Sequence, residues 1–189
     1  MRQMALTVLC ILTGVLYGLP SVSAQEGGRF RVSIPYVEEN GKFIVQATIN
    51  GQSGRFLIDT GAPCCISDSF ARKAGIGDSG SEAKGVDSNG ATVTPPLGFG
   101  DGFTFTNLRA MRWPAGSMLE NFKVDGVIGY NLFKQGIIKF DHPNHTLIFT
   151  NYDGGLGIDY SCAVPLIPDE QLTLFRVTLG KDACDTGMF

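Results

Sequence analysis

The sequence predicts an all-β protein, and three observations carry that reading. Apolar residues alternate with polar ones through Phe30, Val32 and Ile34, and again through Phe43, Val45, Ala47 and Ile49. Asn40-Gly41 and Asn50-Gly51 interrupt these runs where hairpin turns need residues tolerant of positive φ. Glycine supplies 25 of 189 residues, with Thr, Val, Ile and Phe between, which suits a turn-rich sheet protein better than a helical one. At 43% hydrophobic and 17% charged the chain is globular in composition and long enough for one domain. A formal charge of -3 provides no basic field, so nucleic acid is not an expected partner.

The chain opens as an export signal. Arg2 supplies the positive end, residues 4–17 are almost entirely apolar, Pro20 breaks the run, and Val22-Ser23-Ala24 fits small-residue cleavage. Residues 1–24 are therefore expected to be a cleaved signal peptide and the protein to be exported, periplasmic or secreted. The apolar run falls short of the roughly 20 residues that span a bilayer, so no stable membrane anchor is expected. Two hairpin strands follow, and residues 55–59 return as a mostly apolar, interior strand. Ser67 or Asp68 caps a short helix that Gly75 ends. Residues 77–96 are polar and glycine-rich around the turn Asp87-Ser88-Asn89-Gly90, with strands expected at 83–86 and 91–93. Residues 97–111 suit two more strands about Gly100-Asp101-Gly102, and residues 113–121 a loop in which Trp113 packs. A helical turn at 131–135 closes at Gly136, and a hairpin joins 137–140 to 146–150.

One turn carries chemistry. Phe56-Leu57-Ile58 runs directly into Asp59-Thr60-Gly61-Ala62, so a buried strand delivers a carboxylate to a tight polar turn. Asp, Thr and Gly are common in ordinary turns for local reasons. Yet two such carboxylates brought face to face share a proton and activate a water for amide hydrolysis.

This motif, the preceding Ile34-Pro35-Tyr36, Asn40-Gly41-Lys42 and 45–51 segments, and the distant Asp125-Gly126-Val127-Ile128-Gly129-Tyr130-Asn131-Leu132-Phe133 resemble the retropepsin-like aspartyl proteases. The likeness is strongest to the secreted bacterial kind with two lobes in tandem, and it extends through Ile137-Ile138-Lys139-Phe140-Asp141 and Leu147-Ile148-Phe149 over residues 30–150. It implies a closed β-barrel acid-protease lobe with one or two short helices over residues 25–155, cofactor-free, acting on a peptide or protein substrate as an aspartic peptidase. Asp59 would be the catalytic acid, with Thr60, Gly61 and Ala62 supporting its turn. Gly85, Val86, Asp87, Ser88, Asn89, Gly90 and Ala91 would form a flap, and Val127, Ile128 and Gly129 would pack behind the site.

The resemblance implies that a second acid must come from a homodimer partner or from a second lobe in cis. Viral relatives place acidic residues after the motif and Arg after the distal Gly; this chain has Pro63-Cys64-Cys65 and Tyr130, which removes a support for viral-type dimers. Residues 156–189 read as a linker and the incomplete start of a second lobe. Val164-Pro165-Leu166 and residues 172–180 echo the opening pattern. Asp185-Thr186-Gly187 looks like a second motif but lacks an apolar strand before it. Matching Gly187-Met188-Phe189 to Gly54-Arg55-Phe56 sets the true second acid three residues beyond Phe189, so the 189-residue chain is expected to be truncated and incomplete or inactive alone.

Two other readings remain. A lone carboxylate is also compatible with a catalytically inert peptide-binding or structural lobe. A thiol protein would need Cys64 or Cys65 exposed with a lowered pKa. Cys64 and Cys65 are adjacent, which disfavours a bridge between them, and pairing with Cys162 or Cys184 stays open. No metal-ligand spacing accompanies them, so no metal is expected.

Overall fold

The computed structural model describes residues 22–23, 28–77, 91–100, 102–167, 174–179 and 183–188. Strand β1 is Val22–Ser23, within the predicted leader; β2 is Arg31–Glu39, β3 Lys42–Ile49 and β4 Gln52–Asp59. Strand β2 alternates exposed and buried residues, turning Val32, Ile34 and Tyr36 inward. Asn40 and Gly41, and again Asn50 and Gly51, all take positive φ. Two consecutive left-handed residues twist the chain in the sense that suits flanking strands, which is why Asn-Gly stands at both hairpin ends.

Strand β5, Cys65–Ser67, runs into helix α1, Asp68–Lys73. The Ser67 hydroxyl accepts the Phe70 N–H at 3.2 Å, capping the helix, and Gly75 leaves it at φ 67°. Strands β6 (Ala91–Val93), β7 (Leu97–Phe99), β8 (Phe103–Phe105) and β9 (Arg109–Trp113) follow, then helix α2 (Met118–Asn121), β10 (Gly126–Gly129) and helix α3 (Tyr130–Phe133). Strands β11 (Ile137–Asp141) and β12 (Thr146–Thr150) form a hairpin about a 3-10 turn at His142–Asn144. A second 3-10 turn, Tyr160–Cys162, precedes β13 (Leu166–Ile167), β14 (Leu174–Leu179) and β15 (Ala183–Met188).

Twelve strands build one sheet in the order β1-β8-β7-β3-β4-β10-β5-β9-β6, with β2 joining β3 to β12 and β12 to β11. The expected all-β architecture with short helices holds, but among the described residues the ladder does not close into a barrel. Strand β3 takes three partners. One edge pairs with β4, while the other is divided: Lys42 to Val45 pair with β2, and Thr48 and Ile49 with β7. That division folds the sheet over a core of Phe30, Phe105, Phe149, Ile49 and Leu147. Phe30 meets Phe103, Phe105 and Phe149 at centroid distances of 5.1, 5.8 and 5.2 Å, the tilted and edge-on contacts that aromatic quadrupoles favour.

Two local expectations change. Residues 97–113 hold three strands rather than two, because Arg109–Trp113 finds partners on both sides in β5 and β6. The expected loop at 113–121 contains α2, whose Leu119 is buried against Ile44, Leu57 and Val127, with Trp113 packed on the same cluster. The predicted strand at 83–86 and most of the signal segment lie outside the described residues.

The tail forms a separate sheet, β13-β14-β15. Its register repeats that of β2, β3 and β4. Leu166↔Phe175 and Ile167↔Leu174 reproduce Tyr36↔Val45 and Val37↔Ile44. The run from Leu174↔Met188 to Leu179↔Ala183 reproduces Ile44↔Leu57 to Ile49↔Gln52, with one more residue in the turn. Strand pairing therefore aligns Gly187 and Met188 with Phe56 and Leu57, two residues away from the match drawn on sequence alone. Asp185 takes the place of Gly54, in mid-strand.

Candidate active site

Strand β4 delivers Asp59 to the site from between two neighbours, β3 running antiparallel and β10 parallel. Phe56 is 1% exposed and meets Phe70 edge-on at 5.4 Å, which anchors the strand shortly before the acid. The entry to β10 is fastened to β4 as well. Asp125 donates its N–H to the Arg55 carbonyl at 2.7 Å, and its Oδ2 accepts the Arg55 N–H at 2.8 Å.

At the end of β4 the Asp59 carboxylate, half-buried, accepts the Gly61 N–H on Oδ1 at 3.0 Å. The side chain thus closes its own turn, the local bonding that makes Asp favourable there. Thr60 is exposed at the tip. The chain then turns under β10. The Ala62 carbonyl accepts the Tyr130 N–H at 2.9 Å, and Gly129 is the register partner of Asp59. A Cβ on Gly129 would collide with the Ala62 carbonyl oxygen and lie 2.6 Å from the Pro63 carbonyl carbon. Only glycine lets the acid turn sit this close.

Of the predicted residues, Asp59 and Thr60 open on a cavity of about 360 Å³ whose walls include Leu57, Ile58, Phe43 and Phe140, with Lys42 and Gly41 at the hairpin end. No other carboxylate among the described residues lines it. Gly61 and Ala62 belong to the turn. Val127 packs on the Leu57 side of the sheet and Ile128 on the Phe56 side, so the strand behind the acid contributes to both clusters. Of the flap residues, Gly85, Val86, Asp87, Ser88, Asn89 and Gly90 lie outside the described residues; Ala91 begins β6, opposite Met111.

Cys64 and Cys65 are free and buried. Burial pushes the Cys64 thiol up to about 11 and the Cys65 thiol up to about 12, against smaller lowering by hydrogen bonds from Gly129 and Val127. Both are thiols at neutral pH and inert as nucleophiles, opposite to what a thiol enzyme needs. Cys64 instead ties the turn to the strand behind it, since its Sγ accepts the Gly129 N–H at 3.1 Å.

Sequence reasoning gave no role to Asn131. Its Oδ1 accepts the Cys64 N–H at 2.7 Å, and its Nδ2 donates to the Arg109 carbonyl at 2.6 Å. The available signal was an amide side chain at the start of a short helix after Gly129, the position from which such groups bond to backbone. Among the described residues no group of His, Cys, Asp and Glu could hold a metal ion, and no helix is long and apolar enough to cross a membrane.

An all-β lobe that ends a buried strand in Asp-Thr-Gly and backs it with an apolar-apolar-Gly strand is a protease-type domain of the acid-protease class. Residues 45–132 match the aspartyl protease family. The fold is similar to that of a retropepsin-like aspartic protease from Rickettsia conorii, at 17% identity and a TM-score of 0.46, over 66% of this chain and 93% of that one. It is also similar to the retroviral protease-like domain of Ddi1 from Leishmania major, at 17% identity and a TM-score of 0.38, over 68% of this chain and 100% of that one. No curated protein matches the sequence.

Proposed function

We propose that the chain is the acid-bearing lobe of an exported aspartic-type endopeptidase, with Asp59 as one of two catalytic carboxylates. The observation that carries the reading is the placement of Asp59. It ends a buried strand, in a turn fixed from behind by β10, and faces a cavity with apolar walls. The rigid strand supplies the positioning that acid–base catalysis needs, and Leu57, Ile58 and Phe43 give an apolar seat for substrate side chains.

In the proposed reaction a second carboxyl group, supplied by a homodimer partner or a second lobe in cis, faces Asp59. Two carboxylates at close range cannot both ionise, so one keeps its proton. The ionised member takes a proton from water as the water oxygen bonds to the substrate carbonyl carbon, and the protonated member gives its proton to the carbonyl oxygen. Collapse of the resulting diol breaks the C–N bond, with a proton passing to the departing nitrogen. Thr60, Gly61 and Ala62 hold the turn, and Val127, Ile128 and Gly129 back it.

The test is cleavage of an unfolded protein substrate between pH 3 and 7 by the wild-type chain and by Asp59→Asn. With a second acid supplied by dimerisation or by a second lobe, acid-range, pepstatin-sensitive cleavage that disappears in the variant is expected. Cleavage that survives Asp59→Asn refutes the reading. The single carboxylate lining the cavity among the described residues favours one other reading, an inert peptide-binding lobe, for which both proteins bind peptide and neither cleaves it. The mature N-terminus of the exported protein, expected at Gln25, tests the signal segment.

A further inference from the structure

The acid turn and strand β9 are neighbours without a continuous ladder between them. Strands β5 and β9 are parallel, with Cys65 opposite Met111, and the Met111 N–H reaches the Cys64 carbonyl at 2.9 Å. In a parallel ladder the bonds alternate evenly along the pair. Continued one rung toward the acid, the pattern would join the Cys64 N–H to the Arg109 carbonyl. The structure puts the Asn131 side chain there instead. Its Oδ1 takes the Cys64 N–H and its Nδ2 gives to the Arg109 carbonyl, at 2.7 and 2.6 Å. A carboxamide has the donor and acceptor of a peptide group, so it serves as an inserted rung.

We propose that Asn131 is a positioning residue for Asp59: its carboxamide splices the acid turn to β9 and so fixes the turn against the strand that carries β6. Three links then hold residues 62–64 from the β10 to α3 junction, namely Tyr130 N–H to the Ala62 carbonyl, Gly129 N–H to the Cys64 sulfur, and Cys64 N–H to Asn131. Only the third reaches onward to another strand. Strand β9 pairs with β6 through Val93↔Arg109, Thr92↔Ala110 and Ala91↔Met111, so Arg109 is a residue of both contacts. The inserted rung therefore couples the acid turn to the β9–β6 pair. The functional half of this inference rests on the protease reading; the structural half does not.

The two halves of the carboxamide separate by substitution. Asn131→Ala removes both bonds, whereas Asn131→Asp keeps an acceptor for the Cys64 N–H and loses the donor to Arg109. The reporter is the Gly61 amide, bonded to Asp59 Oδ1 at 3.0 Å, whose NMR shift follows Asp59 through acid titration without any need for cleavage. Exchange of the Cys64 amide is read beside it. Asn131→Ala is expected to speed Cys64 exchange at least tenfold and to shrink the Gly61 response to less than half. Asn131→Asp is expected to keep Cys64 exchange near wild type but, with the link to Arg109 lost, to shrink the Gly61 response as alanine does, and it carries the test if the alanine variant does not fold. In a cleavage assay kcat falls about tenfold in Asn131→Ala with KM little changed. Wild-type Cys64 protection and Gly61 response in Asn131→Ala overturn the splice. Fast Cys64 exchange in Asn131→Asp overturns the acceptor half, a wild-type Gly61 response in Asn131→Asp overturns the link to β9, and unchanged kcat with a loosened turn overturns the positioning role. Absence of cleavage in the wild type itself counts against the protease reading and leaves the NMR result standing.

Discussion

Gly129→Ala asks whether close approach of β10 fixes the acid turn. Gly129 sits at φ -120° and ψ -169°, extended backbone open to any residue, so alanine meets no conformational cost there. All the cost is steric. The new Cβ would overlap the Ala62 carbonyl oxygen and stand 2.6 Å from the Pro63 carbonyl carbon and 2.9 Å from that of Ala62. Those atoms are backbone and cannot rotate aside. Forcing a methyl group into a filled site costs about 1–3 kcal/mol. Separating the strand from the turn also strains two hydrogen bonds, Tyr130 N–H to Ala62 and Gly129 N–H to Cys64 sulfur, each contributing about 1 kcal/mol. The sum, about 3–5 kcal/mol, is a large part of a typical domain's stability. At about 2–4 °C per kcal/mol for a domain of this size, the melting temperature should fall by roughly 6–20 °C. Thermal and urea unfolding measure it, with Gly77→Ala as control, since a Cβ there meets nothing within 4 Å. A Gly129→Ala protein melting within about 1 °C of wild type would refute the argument.

Other perturbations follow from the same structure. Burial raises the Cys64 and Cys65 thiols to about 11 and about 12, so the native state keeps protons that the unfolded chain loses first. Their contribution is intact below about pH 9 and declines as pH rises toward 11–12; alkaline unfolding of Cys64→Ser and Cys65→Ser should show a shallower decline over that window. Ser67→Ala removes the cap on Phe70 N–H and should cost about 1 kcal/mol in urea unfolding, with no change in inhibitor affinity. Asp185→Asn should leave peptide cleavage at the wild-type rate, because its backbone lies in mid-strand opposite Val177; loss of cleavage there would restore Asp185-Thr186-Gly187 as a second catalytic motif.

The hairpins and the acid strand were legible because their causes are local. Alternation set the faces of β2 and β3, Asn-Gly set the turns, and an unbroken apolar run announced a strand buried on both sides. Ser67 announced its cap in the same way. What stayed hidden depended on partners far along the chain. The division of β3 between β2 and β7 has no signature in any short window. The role of Asn131 depends on Cys64 and Arg109, 67 and 22 residues away. The tail shows the limit most clearly: similarity of residues suggested a repeat correctly in kind, but strand pairing moved its alignment by two residues.

That repeated register bears on how the chain folds. Hairpin β2 to β4 must close on β10 and β12, pairing Val32 with Phe149 across more than half the chain, whereas β13 to β15 form from near neighbours in sequence. Local pairings form early, and loop closure makes the distant ones slower, although each doubling of loop length adds only about 0.6 kcal/mol. By the time β12 seeks its strand, two hairpins of the same register are present. The Tyr36–Phe43 contact at 4.9 Å packs the hairpin that β12 joins, so substitutions there are expected to divert refolding into swapped species, read as dimer by size-exclusion after refolding, before they much lower equilibrium stability.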